Sequence, residues 1–116
     1  MLAVGEHLWG SVDERTRRMT SAFSGGLGGT HAELCGALSG GAMIIGALNG
    51  RANLIESNAA CKALAARYRE AFLARFGMTI CSDLRSHGYG GGGIPCAVLV
   101  EQAVEVLLDV LAEAGY

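Results

Sequence analysis

Residues 58–76 read "NAACKALAARYREAFLARF", and the spacing of their apolar side chains sets the class of fold. Cys61, Leu64, Tyr68, Phe72 and Phe76 recur at intervals of three and four residues, which is one stripe of a helix. Lys62, Arg69, Glu70 and Arg75 lie off that stripe. The pattern predicts a helix buried along one side. Moving toward the C-terminus, Glu101, Gln102, Glu105, Asp109 and Glu113 fall on one narrow face of a helix that is otherwise apolar from Val98 through Leu111. Such a helix is buried around most of its circumference.

Toward the N-terminus, helix starts are marked by "SVDE" at 11–14 and "THAE" at 30–33, both of the capping-box form. Ser57 and Thr79 suit N-cap positions, and Pro95 suits the first turn of the last helix. Breakers separate these segments: "SGGLGG" at 24–29, "NGR" at 49–51, "FGM" at 76–78 and "GYGGGG" at 88–93. No segment alternates β-branched residues as a strand would. The expectation is an all-α single domain over residues 1–116, a compact bundle of about five helices with Gly-rich connections. Helices are expected near 2–9, 12–23, 31–48, 58–76 and 95–114, with a short turn near 80–86.

Hydrophobic residues make up 51% of the 116 and charged ones 17%, with a mean hydropathy of +0.34. That is more apolar surface than one small core absorbs, so a homodimer is expected. Net charge is −2, with no basic block and no aromatics interleaved with Lys or Arg; nucleic-acid binding is not expected. The uncharged run from Leu34 to Asn49 is shorter than the roughly 18 apolar residues of a membrane span. The N-terminal "MLAVGEHLWG" has neither the basic start nor the apolar core of a signal peptide, so a cytoplasmic protein is expected.

The four cysteines, at 35, 61, 81 and 96, include no CxxC pair. A zinc knuckle of usual spacing is excluded, but a site assembled from distant parts of the chain is not. Cys81 in "TICSDL" and Cys96 in "GGGIPCAV" fall in the first turns of expected helices, where free amides favour a thiolate. His31 precedes Cys35 by four residues, one face of a helix, a spacing compatible with a shared metal or with a histidine that promotes thiolate formation. His87 stands between Cys81 and Cys96 and could join them. Gly36 and Gly40, with Ser39 and Gly41, form a small-residue surface that lets another backbone approach. The two Gly-rich runs lack the Gly-Lys-Ser/Thr of a phosphate loop, and no strand precedes them. They read as connections or backbone nests beside the thiols.

In order, "AFSGGLGG", "ELCGALSGGAM", "GR" at 50–51, "YREAFLARFG", "ICSDL" and the final Cys96 span nearly the whole chain. This series resembles the family of proteins described as redox-active and named C_GCAxxG_C_C after its cysteine pattern. The resemblance implies a small helical protein whose cysteines gather for redox or metal chemistry, with a cysteine arrangement related to the iron–sulfur domain of split-Soret cytochromes. The family's central, third and fourth cysteines correspond to Cys35, Cys81 and Cys96. Its first cysteine has no counterpart and aligns just upstream of Met1, so the chain is expected either to be shortened there relative to the family or to have lost that ligand. Cys61 is an addition on the core stripe.

The expected function is therefore electron transfer, thiol–disulfide exchange or metal binding by Cys35, Cys81 and Cys96, with a redox partner protein. The metal would be zinc or an iron–sulfur cluster, with His31 or His87 as further ligands. The alternatives are a helical interaction or scaffold module with structural cysteines, and a thiol enzyme acting on a small molecule.

Overall fold

The computed structural model describes all 116 residues. Six helices follow in order: α1 Leu2–Trp9, α2 Glu14–Ser21, α3 Gly36–Asn49, α4 Ala59–Phe76, α5 Cys81–Ser86 and α6 Cys96–Glu113. The segment expected as a short turn forms a helix of its own, α5, which brings the count from five to six. There is no named strand, only two isolated bridges, Leu34 with Ile80 and Tyr89 with Ile94.

The core is built by α3, α4 and α6, which pack on one another, with α1 laid against α6. From α4 come Leu64, Tyr68, Phe72 and Phe76, all buried, as the stripe predicted. Leu38, Ile44 and Ile45 face them from α3, and Leu99, Ala103, Leu107, Val110 and Leu111 from α6. Cys61, the first residue of the stripe, is partly buried against this core. An aromatic row runs through the core: Tyr68 meets Phe72 edge-on, Phe72 tilts over Phe76 at 4.5 Å, and Phe76 meets Tyr89 edge-on at 5.9 Å. Glu101, Glu105, Asp109 and Glu113 stay exposed on α6, and Arg67 donates to Glu113 at 2.8 Å. The apolar surplus shows at the surface, most plainly at Leu54 and Ile55 between α3 and α4.

Helix starts differ from expectation in instructive ways. α2 begins two residues later than the "SVDE" box suggests, because Asp13 rather than Ser11 caps it and accepts from the Thr16 amide at 3.0 Å. α3 begins at Gly36, not at 31. The carbonyl of Glu33 accepts from the Cys81 amide and the Cys35 amide donates to the Thr79 carbonyl, so the backbone that "THAE" would have wound into a first turn is held by residues 79–81. Asn58, Ile80 and Pro95 occupy the N-cap positions of α4, α5 and α6, each one residue from the expected place.

The small residues of α3 serve packing within the chain. A Cβ on Gly36 would lie 2.9 Å from the Phe23 carbonyl oxygen, and one on Gly41 would lie 2.3 Å from the Tyr68 ring. The absence of a side chain lets both neighbours approach, which offsets glycine's cost inside a helix.

Candidate functional site

Cys35 is the N-cap of α3, Cys81 the first residue of α5 and Cys96 the first residue of α6. Three helix starts thus deliver three thiols, and all three line one cavity of about 310 Å³. Phe23, Leu84, Tyr89 and Leu99 supply much of its apolar wall, and Arg85 is the only charged side chain that lines it. All four cysteines are free thiols. Cys35 and Cys81 are partly buried, whereas Cys96 is exposed. Cys61 is not part of the lining.

Two local devices bring the thiols together. The first is the Leu34–Ile80 bridge, whose flanking bonds are Cys35 N–H to the Thr79 carbonyl at 2.8 Å and Cys81 N–H to the Glu33 carbonyl at 2.9 Å. Cys35 and Cys81 are the next residues after the bridged pair, so they are diagonal neighbours across it. The second device is the "SGGLGG" run, where residues 25–29 all have φ between 62° and 73°. This left-handed turn ends with the His31 amide bonded to the Gly25 carbonyl and the Glu33 amide bonded to the Gly26 carbonyl. Gly26 must be glycine twice over: its φ is +65°, and a Cβ there would meet the Cys81 Cβ at 2.5 Å.

The turn also settles the partner of His31. Its Nδ1 lies 3.3 Å from Cys81 Sγ, so the hydrogen-bond partner of the imidazole is a thiol fifty positions along the chain and not Cys35 four positions along. His31 itself sits at φ +59°, a conformation uncommon for a residue with a side chain and typical of places where geometry is held for a purpose. His87 stands apart: it is exposed, caps the end of α5, and its Nδ1 lies 2.8 Å from the Asp83 carbonyl.

Burial pushes the Cys35 thiol up, the negative charge of Cys81 and Cys96 adds to the rise, and the amides of Ala37 and Leu38 offset it only in part. Burial also raises the Tyr68 phenol, and Cys35 adds to that shift; the phenol donates to the Ala37 carbonyl at 3.2 Å. Both groups favour the protonated form in the folded chain. As pH rises through the ordinary thiol value of about 9, the unfolded chain releases protons that the folded chain keeps, so stability falls. Denaturant midpoints should therefore drop above that pH, and Cys35→Ala should flatten the early part of the drop. An unchanged slope in that variant would refute the assignment to Cys35.

The donor set of three thiols and an imidazole suits zinc or an iron–sulfur centre in its chemistry. In its arrangement it does not: no three His, Cys, Asp or Glu side chains are gathered so as to hold a metal ion.

Fold and site together define a small helical protein with a thiol-lined cavity. The family model described as "Putative redox-active protein (C_GCAxxG_C_C)" matches residues 1–110, and the chain belongs to that family. No curated protein and no solved structure matches the chain. No helix is long and apolar enough to cross a membrane.

Reading the sequence alone misses three residues at this site. Arg85 and Tyr89 line the cavity, and Gly26 shapes the place of Cys81. Only Arg85 left a signal, since it lies four residues after Cys81 and so on the same face of α5.

Proposed function

We propose that this protein is a dithiol–disulfide exchange protein in which Cys81 attacks and Cys35 resolves. The observation that carries the reading is the 3.3 Å approach of His31 Nδ1 to Cys81 Sγ at the edge of a cavity shared with Cys35 and Cys96. A thiolate is the nucleophile in such exchange, and an adjacent imidazole assists its formation. His31 accepts the Cys81 proton as the thiolate attacks one sulfur of a disulfide, and the departing thiolate takes that proton. Cys35 then attacks the Cys81 sulfur of the mixed disulfide, expelling the second thiol. Two protein thiols are oxidised to one disulfide, and one disulfide is reduced to two thiols.

The division of roles follows from environment. Cys35, whose thiol is raised by burial, is a poor first attacker at neutral pH but is positioned to resolve a neighbour. Diagonal neighbours across an antiparallel pair stand about 7–8 Å apart at Cα, slightly more than a disulfide spans. Closing the bond therefore draws the start of α5 toward α3. Six-residue α5 is the shortest helix of the chain, which makes it the element most able to shift.

The test is a trapping experiment. In Cys35→Ser, reaction with hydroxyethyl disulfide should stop at a mixed disulfide on Cys81, identified by peptide mass. Exclusive labelling of Cys61, or of Cys96 with Cys81 untouched, would overturn the assignment of Cys81 as attacker.

A further inference from the structure

The cavity holds one feature that exchange between thiols does not require, a guanidinium without a partner. Arg85 is the only charged side chain in the lining, with no carboxylate beside it. The ion pairs of the chain join Arg17 to Glu6, Arg18 to Glu14 and Arg67 to Glu113, and none involves Arg85.

The "GYGGGG" connection is wrapped around this side chain. A Cβ on Gly91 would lie 3.1 Å from Arg85 Nη2. A Cβ on Gly90 would lie 3.0 Å from Arg85 Nη1 and 2.9 Å from Cys96 Sγ. Both glycines have positive φ, +74° and +58° for residues 90 and 91. Guanidinium and sulfur thus both come within 3.0 Å of the same point beside Gly90, whose left-handed backbone favours glycine. On its own helix Arg85 is also one turn from Cys81 and on the same face. A positive fork that shares its cavity with Cys81 and Cys96, at the small end of ligand-pocket size, is a binding group for a small anion attached to a sulfur compound.

We propose that Arg85 docks the carboxylate of a low-molecular-weight disulfide, and that such a carboxylate-bearing disulfide is the oxidant of the cavity thiols. This rests on the exchange reading above and adds the class of substrate. The guanidinium presents paired N–H donors that match a carboxylate's two oxygens. Bound there, the substrate lays its S–S bond along the apolar wall formed by Tyr89 and Leu99, next to Cys81 and Cys96. The exchange is the one already balanced: Cys81 forms a bond to one substrate sulfur, the S–S bond breaks, and the carboxylate-bearing thiolate leaves with the proton held by His31. Resolution by Cys35 releases the second carboxylate-bearing thiol.

The chain's net charge of −2 works against a dianionic disulfide in free diffusion, so a preference for one reports the local guanidinium and not the overall field. Reduced protein is mixed with dithiodipropionate, a dicarboxylate, with uncharged hydroxyethyl disulfide, and with dicationic cystamine, and the rate of thiol loss is followed. In the wild type the dicarboxylate should react roughly tenfold faster than the uncharged disulfide, the size of a charge-assisted contact, and cystamine should be slowest. Arg85→Gln should collapse the ratio of dicarboxylate to uncharged rates to one or below, and Arg85→Lys should keep part of it. A wild-type ratio near one, or a ratio that survives in Arg85→Gln, overturns the docking role while leaving exchange intact. If no disulfide oxidises the wild type, the exchange reading itself fails, and the docking role with it.

Discussion

Replacing Cys81 with serine is expected to slow oxidation of the reduced protein by a small disulfide by on the order of 100-fold, because a serine hydroxyl supplies no nucleophile comparable to a thiolate near neutral pH. The remaining rate belongs to Cys35 and Cys96, which line the same cavity but lack the contact of Cys81 with the His31 imidazole. Cys61→Ser is the control. Cys61 lies on α4, packed against the core and away from the cavity, so its removal should leave the rate within about twofold, as expected for a thiol that only packs. His31→Ala should act in the same direction as Cys81→Ser but less strongly, because it removes the proton acceptor and leaves the sulfur. Stopped-flow counting of free thiols measures all three. A Cys81→Ser rate equal to wild type would remove Cys81 from the first step.

The second large effect is structural. Phe72 is fully buried, with Tyr68 edge-on to one side and Phe76 tilted over it at 4.5 Å on the other. Phe72→Ala should lower stability by about 3–5 kcal/mol, from lost transfer energy and the cavity left behind. Against a total stability of about 5–15 kcal/mol for an ordinary domain, that is a substantial part of the whole. The loss should reach the thiols as well. Phe76 abuts Phe72 and meets Tyr89 edge-on, and Tyr89 lines the cavity. A urea titration should show a lower midpoint, and alkylation of the partly buried Cys35 should speed up below the unfolding transition. Stability within 1 kcal/mol or so of wild type would contradict the core described for α3, α4 and α6.

The helices of the core were readable in the sequence because each carries its own signal. Phe72 and its neighbours at three- and four-residue spacing mark α4, and a single acidic face marks α6; neither signal depends on distant residues. The start of α3 was not readable for the opposite reason. "THAE" has the local form of a capping box, but Glu33 and Cys35 take their backbone partners from residues 79–81. A bond formed with a segment more than forty positions away leaves no trace in local spacing. The same holds for His31, whose i+4 relation to Cys35 is on the page of the sequence while its relation to Cys81 exists only after the chain has folded.

The gathering of Cys35, Cys81 and Cys96 was legible in part. Cys81 and Cys96 are readable at helix starts, Cys35 is expected one turn inside its helix, and the resemblance picked out all three. Composition and periodicity contain nothing that turns three helix starts toward one cavity. The Gly-rich runs were readable as breakers, yet their role is steric: Gly26 makes room for Cys81, and Gly90 for Cys96 and Arg85. Glycine is the residue whose purpose is least visible in a sequence, since what it contributes is the approach of something else.

The central claim is that Cys81 and Cys35 form the redox pair. Its most direct test equilibrates the protein in buffers of graded thiol–disulfide ratio, blocks free thiols with an alkylating reagent, and maps the linked peptides by mass. The account predicts one disulfide, Cys35–Cys81, that forms and disappears reversibly across the series, with Cys61 alkylated throughout. Thiols that remain free at every ratio, or a disulfide that includes Cys61, would contradict it and favour a helical interaction module whose cysteines only pack.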